Sequence, residues 1–190
     1  MQKFSKYTTE KNEPYQEATH TPVWENGGQR VVNFEGWNIF TEDDKVCCIP
    51  YLQEYGCILL RLEPIPSYKL RNKEELHLTC MSETMKHGET SLECLKRGLI
   101  EEFGIKLKDN CDIEFDMPFF QFKGSNTQVN CCLVPLMEHQ YTDVAIKGDG
   151  STEEKSTKIV KVDIKNLRAL KPADLTTIYL INKMQMFLKP

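Results

Sequence analysis

The sequence feature that most constrains this chain is the stretch from Glu83 to Ile105, which predicts a single amphipathic helix. Thr90 and Glu93 have the spacing of a capping box at its start, and Gly104 is the residue type that commonly ends a helix in the left-handed conformation. The apolar residues of the stretch recur at spacings of three and four: Leu92, Leu95, Leu99 and Phe103. One face of the predicted helix should therefore pack against a hydrophobic core.

The opposite face of this helix is charged. It carries Arg97, Glu101 and Glu102, and Glu89 lies just before the helix begins. Like charges one helical turn apart repel by about 0.2–0.5 kcal/mol. Carboxylate oxygens are also the ligands that Mg2+ prefers in proteins. The cluster therefore favours a site in which a cation lies among the carboxylates.

The stretch resembles the Nudix box, G-x5-E-x7-R-E-U-x-E-E-x-G-U, in which U is a bulky aliphatic residue. Seven residues stand at the family's positions with the correct spacing: Glu89, Arg97, Leu99, Glu101, Glu102, Gly104 and Ile105. Two positions depart from the pattern, because Glu83 replaces the opening glycine and Gly98 replaces the glutamate that follows the arginine. In the family that glutamate is a principal Mg2+ ligand, and Glu83 is a candidate substitute for it from the turn.

The resemblance implies a site that binds Mg2+ or Mn2+. Glu102, Glu101 and Glu89 are then the metal ligands, Glu101 also has a catalytic role, and Arg97 orients a carboxylate of the box. Hydrolysis of a pyrophosphate needs charge on the phosphate oxygens to be screened and a water to be activated, and carboxylate-bound Mg2+ provides both. Without a glutamate at Gly98, the helix presents no carboxylate one turn before Glu102.

Further site residues are implied by the branch of the family that cleaves ADP-ribose. In that branch a glutamate of a late loop is often the general base, which here is Glu153 or Glu154; the alternative is a solvated acidic loop. Tyr68 and Arg71, in the connection before the box, are candidates for adenine stacking or phosphate contact. Ordinary surface packing is the alternative for these two residues.

The order of elements predicts an α+β protein, which by the resemblance is a Nudix-type α/β/α sandwich with a mixed β-sheet. Apolar, β-prone runs before the helix lie at 31–40, 46–52, 57–62 and 76–80, and runs after it at 119–123, 129–136 and 159–164; a last helix spans 173–188. Pro50 should lie at a sheet edge or a bulge. We predict that residues 1–30 form an N-terminal arm and that residues 31–190 form one Nudix-like domain.

Composition excludes several classes of protein. The formal charge of −4 comes without a basic block, which argues against a nonspecific nucleic-acid or anionic-membrane surface. No apolar stretch approaches the roughly 18 residues of a membrane span. The eight cysteines include two adjacent pairs but no C-x-x-C, which favours buried free thiols in a reducing compartment over disulfides or zinc. We therefore expect a cytoplasmic protein.

Two functions remain open from the sequence. The first is a Mg2+-dependent Nudix hydrolase that cleaves a nucleoside diphosphate linked to another moiety, such as ADP-ribose or a nucleotide sugar, and whose activity is impaired by Gly98. The second is a catalytically inactive Nudix-fold protein that serves as a binding or structural subunit of a larger assembly. The expected partners are a nucleotide-type small molecule and either a second copy of the chain or a larger assembly.

Overall fold

The computed structural model describes residues 22–26, 29–34, 36–65, 76–108, 111–146, 157–172 and 174–188. In these ranges the helices are α1 (Ser91–Phe103) and α2 (Leu175–Phe187), with short 3-10 turns at Glu138–Gln140 and Ile164–Ala169. The strands in the same ranges are β1 (Pro22–Asn26), β2 (Gln29–Phe34), β3 (Trp37–Thr41), β4 (Lys45–Leu52), β5 (Cys57–Pro64), β6 (Leu76–Thr79), β7 (Met81–Thr84), β8 (Ile105–Leu107), β9 (Phe119–Phe120), β10 (Gln128–Leu136), β11 (Tyr141–Asp143) and β12 (Lys158–Asp163). Each predicted strand run and both predicted helices thus have a counterpart.

The main sheet is mixed. Its strands follow the order β12-β5-β4-β10-β9, with β6 beside β5 and β7 beside β4. Strand β4 pairs in parallel with β10 and antiparallel with β5 and β7. Nearly all of β4 is buried, as expected for a strand that is covered on both faces. The predicted α+β class and mixed sheet are confirmed.

Pro50 lies within this central strand and not at the sheet edge that its residue type favours. On one side it is opposite Val134 of β10. On the other side β4 pairs with β7 through residues 45–48 and with β5 through residues 51–52, so the ladder is interrupted at Pro50. The interruption lets a residue without a backbone N–H occupy a central strand.

The two helices cover opposite faces of the main sheet. Because side chains alternate along a strand, Val46 and Cys48 of β4 contribute to the core under α1, whereas Cys47 and Ile49 contribute to the core under α2. All eight cysteines are free, and only Cys111 among them is not fully buried. The prediction of buried free thiols is confirmed.

The ends of α1 are as the sequence predicted. The backbone N–H of Glu93 donates to Thr90 Oγ1 at 3.2 Å, and the Thr90 N–H donates to Glu93 Oε2 at 2.8 Å, which is a capping box. Gly104 ends the helix with φ +66°, a left-handed conformation that disfavours residues with a Cβ. The local sequence therefore determines where this helix begins and ends.

A second, three-stranded sheet precedes the main one and has the order β1-β2-β3. The Phe40 N–H donates to Gly124 O at 2.8 Å and Phe40 O accepts from the Asn126 N–H at 2.9 Å, so β3 is attached to the loop between β9 and β10. Residues 22–26 of the predicted arm belong to this sheet, whereas residues 1–21 lie outside the described part of the chain. The division between arm and domain stays a prediction. Neither described helix is long and apolar enough to cross a bilayer.

Candidate functional site

Arg97 of α1 donates hydrogen bonds to three carboxylates at the acidic side of the helix. Its Nε and Nη2 atoms donate to the two oxygens of Glu89, each at 2.9 Å. Nη1 donates to Glu83 at 2.7 Å and to Glu101 at 3.2 Å, and Nη2 also donates to the Thr84 carbonyl at 2.8 Å. The hydrogen bond from Arg97 lowers the pKa of Glu89 below its usual value. Arg97 thus links the helix to β7 and to the turn between them.

Glu102 makes a separate ion pair. Its Oε2 atom lies 2.8 Å from Nη1 of Arg61 on β5, and Nη2 of Arg61 lies 2.7 Å from Glu63. Glu63 in turn accepts a hydrogen bond from Thr79 Oγ1 at 2.5 Å. The Glu102 side chain is only 10% exposed, and its burial raises its pKa to about 8 although Arg61 acts in the opposite direction. Glu102 Oε2 has no partner in hydrogen-bond geometry, so its 2.8 Å contact with Arg61 is a close approach rather than a directed hydrogen bond.

Two residues of the neighbouring strand, Met81 and Glu83, lie close to the position of the missing helix glutamate. Gly98 is buried, and a Cβ atom placed on it would lie 2.9 Å from Met81 Sδ and 3.2 Å from Glu83 Cβ. Met81 is itself fully buried. A side chain at position 98 would therefore require the end of the Met81 side chain to move and Glu83 to shift by a few tenths of an ångström.

The predicted site residues divide into three groups. Arg97, Glu89 and Glu101 are brought together, and the suggested substitute Glu83 joins them. Glu102 is on the same helix but faces Arg61. The remaining predicted residues lie outside the described part of the chain: Tyr68, Arg71, Glu153 and Glu154.

Sequence reasoning did not identify Arg61, Glu63 or Met81 as site residues. One available signal was the run CILLRL, in which Arg61 is a single charge inside an apolar strand. A buried charge requires a partner, so Arg61 had to face a carboxylate. No comparable signal marked Met81, because an apolar residue in a strand is ordinary.

The residues that the structure describes are not arranged as a divalent-metal clamp. Mg2+ needs several oxygen ligands in nearly octahedral geometry. Within the described ranges, no three or more His, Cys, Asp or Glu side chains are placed so that they could hold a metal ion. The carboxylates that the resemblance assigns to the metal point to guanidinium groups instead: Glu89 and Glu101 to Arg97, and Glu102 to Arg61.

Comparison with known proteins supports the fold. No protein-family model matches the chain, and no curated protein sequence matches it. Among solved structures, one described as an ADP compounds hydrolase matches with a TM-score of 0.64 over 90% of this chain and 92% of that one, at 15% sequence identity. At this identity the match is evidence for the fold alone. The protein has an α+β fold of the Nudix type, as its box-like sequence predicted.

Proposed function

We propose that this chain is a Nudix-fold protein without Mg2+-dependent hydrolysis, which acts as a binding or structural subunit of a larger assembly. The observation that carries the proposal is the 2.8 Å ion pair between Arg61 and Glu102. Glu102 is the more buried of the two carboxylates at the end of the box helix, with a side chain 10% exposed against 35% for Glu101, and a guanidinium group already lies beside it. Arg61 thus supplies positive charge at the place where a cation would bind Glu102.

The chemistry of pyrophosphate cleavage supports the same conclusion. Cleavage requires positive charge at the phosphate oxygens and an activated water. Here five carboxylates surround two guanidinium groups: Glu63, Glu83, Glu89, Glu101 and Glu102 around Arg61 and Arg97. This excess of negative charge repels a diphosphate that arrives without a cation. The ion pairs instead join α1 to β5, to β7 and to the turn before the helix, which is a structural role.

An exposed apolar surface supports a binding role. Trp37, Phe120 and Phe122 are 65%, 55% and 51% exposed. Phe120 and Phe122 line an open groove of about 610 Å³ together with Val32, Ile39, Lys123, Ser125 and Asn126. Exposed aromatic side chains grouped in this way are typical of surfaces that contact a partner. The groove lies where the three-stranded sheet meets the loop after β9.

The proposal is tested by measuring the release of nucleoside monophosphate and sugar phosphate from ADP-ribose and a panel of nucleotide sugars, with Mg2+ or Mn2+. The native chain and Glu102→Gln are compared, and a reaction with a chelator is the blank. We expect no turnover above the blank from either protein. Turnover by the native chain that requires the metal and is lost in Glu102→Gln would overturn the proposal.

A Mg2+- or Mn2+-dependent hydrolase of ADP-ribose or a nucleotide sugar is the second candidate. It is favoured by the retained hydrogen bonds of Arg97 to Glu89 and Glu101, and by the fold shared with an ADP compounds hydrolase. A homodimer would be the expected form of such an enzyme. A reducing compartment such as the cytoplasm suits either function, because all eight cysteines are free.

A further inference from the structure

We propose that Arg61 is a built-in cation that takes the place of a divalent metal at Glu102, and that Met81 closes the space of the missing helix glutamate. This inference deepens the proposed function, because it names the residues that replace the metal site. It concerns cation binding rather than turnover, so it has a test of its own.

The position of Arg61 is well determined by the sheet. Arg61 lies on β5 opposite Thr79 of β6 and Ile159 of β12, so strands pair with it on both sides. Its side chain is only 13% exposed. The guanidinium group stays charged at any physiological pH, and its two terminal nitrogens each meet a different carboxylate. A fixed, permanent charge between Glu102 and Glu63 is what a bound cation would otherwise supply.

The second change is independent of the first. The missing glutamate belongs to position 98, and the Cβ atom of that residue would lie 2.9 Å from Met81 Sδ. Glu83 follows Ser82 on β7, and its carboxylate accepts a hydrogen bond from Arg97. In this chain the carboxylate that Arg97 binds here is therefore on the strand and not at position 98 of the helix.

The two changes together predict that restoring one residue does not restore a metal site. Gly98→Glu alone would force its side chain against Met81 Sδ and Glu83 Cβ. It would also leave Arg61 on Glu102. Removal of Arg61 is the change that frees two carboxylates, Glu102 and Glu63, for a metal ion.

The test is titration with Mn2+, followed by the electron paramagnetic resonance signal of the free ion and by calorimetry. Native protein, Arg61→Gln and Arg61→Gln/Glu102→Gln are compared. Arg30→Gln is the matched control, because Arg30 is also paired with a glutamate, Glu25, but at an exposed position. Circular dichroism verifies that each variant is folded.

We expect native protein and Arg30→Gln to bind Mn2+ weakly and equally, without saturation in the titrated range, and Arg61→Gln to bind it at least about tenfold more tightly through Glu102. The double variant should lose this gain. Saturable binding by native protein that Glu102→Gln abolishes would overturn the inference, and so would a folded Arg61→Gln without any gain. If Arg61→Gln does not fold, Arg61→Lys serves instead: one ammonium group cannot bridge both carboxylates, so a smaller gain in affinity is expected, and its absence would refute the role of Arg61.

The two proposals can fail separately. Metal-dependent turnover by the native chain would refute the proposed function. Absence of turnover together with tight Mn2+ binding at Glu102 would leave the proposed function standing and refute the role of Arg61.

Discussion

The backbone N–H of Cys80 donates a hydrogen bond to Thr177 Oγ1, with an N–O distance of 2.8 Å. This bond attaches α2 to the residue between β6 and β7. Thr177 is fully buried, and its own N–H donates to the side chain of Asp174, the N-cap of α2. Cys80 directly precedes Met81, the residue that packs on Gly98. The helix on one face of the sheet thus helps to position the strand that meets the helix on the other face.

Thr177→Val should lower the free energy of unfolding by about 1–3 kcal/mol, because the buried N–H of Cys80 loses its acceptor while the side-chain volume is kept. Urea denaturation measures the change. Thr176→Val, the same substitution one residue earlier at a half-buried position, is the control and should change stability by less than about 0.5 kcal/mol. Equal effects of the two substitutions would contradict the importance of this hydrogen bond.

Gly98→Ala tests the close approach of α1 and β7. Helix propensity alone predicts that alanine stabilises the helix by about 1 kcal/mol. The new Cβ would lie 2.9 Å from Met81 Sδ, however, and overpacking of this kind costs about 1–3 kcal/mol. We therefore expect thermal denaturation to show a net loss of stability.

The effect of Gly98→Ala on stability should change sign once the side chain of Met81 is shortened. Met81→Ala by itself should destabilise the protein by about 2–5 kcal/mol through the cavity that it leaves. In that background Gly98→Ala should be stabilising, which a double-mutant cycle detects. If Gly98→Ala stabilised the otherwise native chain, the side chain of Met81 would have room for an additional methyl group, and the predicted overpacking would be wrong.

Gly104→Ala should cost more stability than Gly56→Ala. Both glycines have positive φ, +66° and +57°, so alanine is strained at either position by about 1–2 kcal/mol. Only at Gly104 would the Cβ also meet another group, the carbonyl oxygen of Val144 at 2.5 Å. We expect the difference in free energy of unfolding to be at least about 1 kcal/mol. Similar losses would mean that the chain near Val144 moves aside.

The stability contributed by Glu89 should depend on pH. Arg97 lowers the pKa of Glu89 from 4.5, so the ionised form is favoured in the folded state. Its contribution is therefore complete above about pH 4.5 and is lost as the pH falls through the lowered pKa. Glu89→Gln should be less stable than the native chain by about 1–2 kcal/mol at pH 7, and the difference should shrink at pH 3.

Urea denaturation at pH 7, 5 and 3 checks the expectation for Glu89. Glu114→Gln, at an exposed position, is the matched control and should differ little from the native chain at each pH. A difference between Glu89→Gln and the native chain that did not change with pH would show that the charge of Glu89 has no role.

The parts of the fold that depend on neighbouring residues could be predicted from the sequence. The capping box of Thr90 and Glu93 and the terminator Gly104 act within a few residues, and α1 begins and ends where they indicate. The strands β4 and β5 were predicted because both runs are apolar and β-prone. The contact of Arg97 with Glu101 follows from their spacing of four residues on one helix, whereas Glu89 reaches Arg97 from the turn before the helix.

The parts that depend on distant segments were beyond the sequence. Arg61 meets Glu102 only because β5 lies in the sheet under the end of α1, and no local pattern gives that register. Pro50 was assigned to an edge or a bulge by its residue type, and the partner change along β4 that accommodates it is a property of three strands at once. The contact of Met81 with Gly98 is equally nonlocal.

The parallel pairing of β4 with β10 has a consequence for how this protein forms in a cell. During translation β4 leaves the ribosome long before β10, which covers one of its long sides along residues 45–52. Until then this apolar strand has an open side that another nascent polypeptide can occupy. The main sheet can therefore be completed only after β10 has been synthesised.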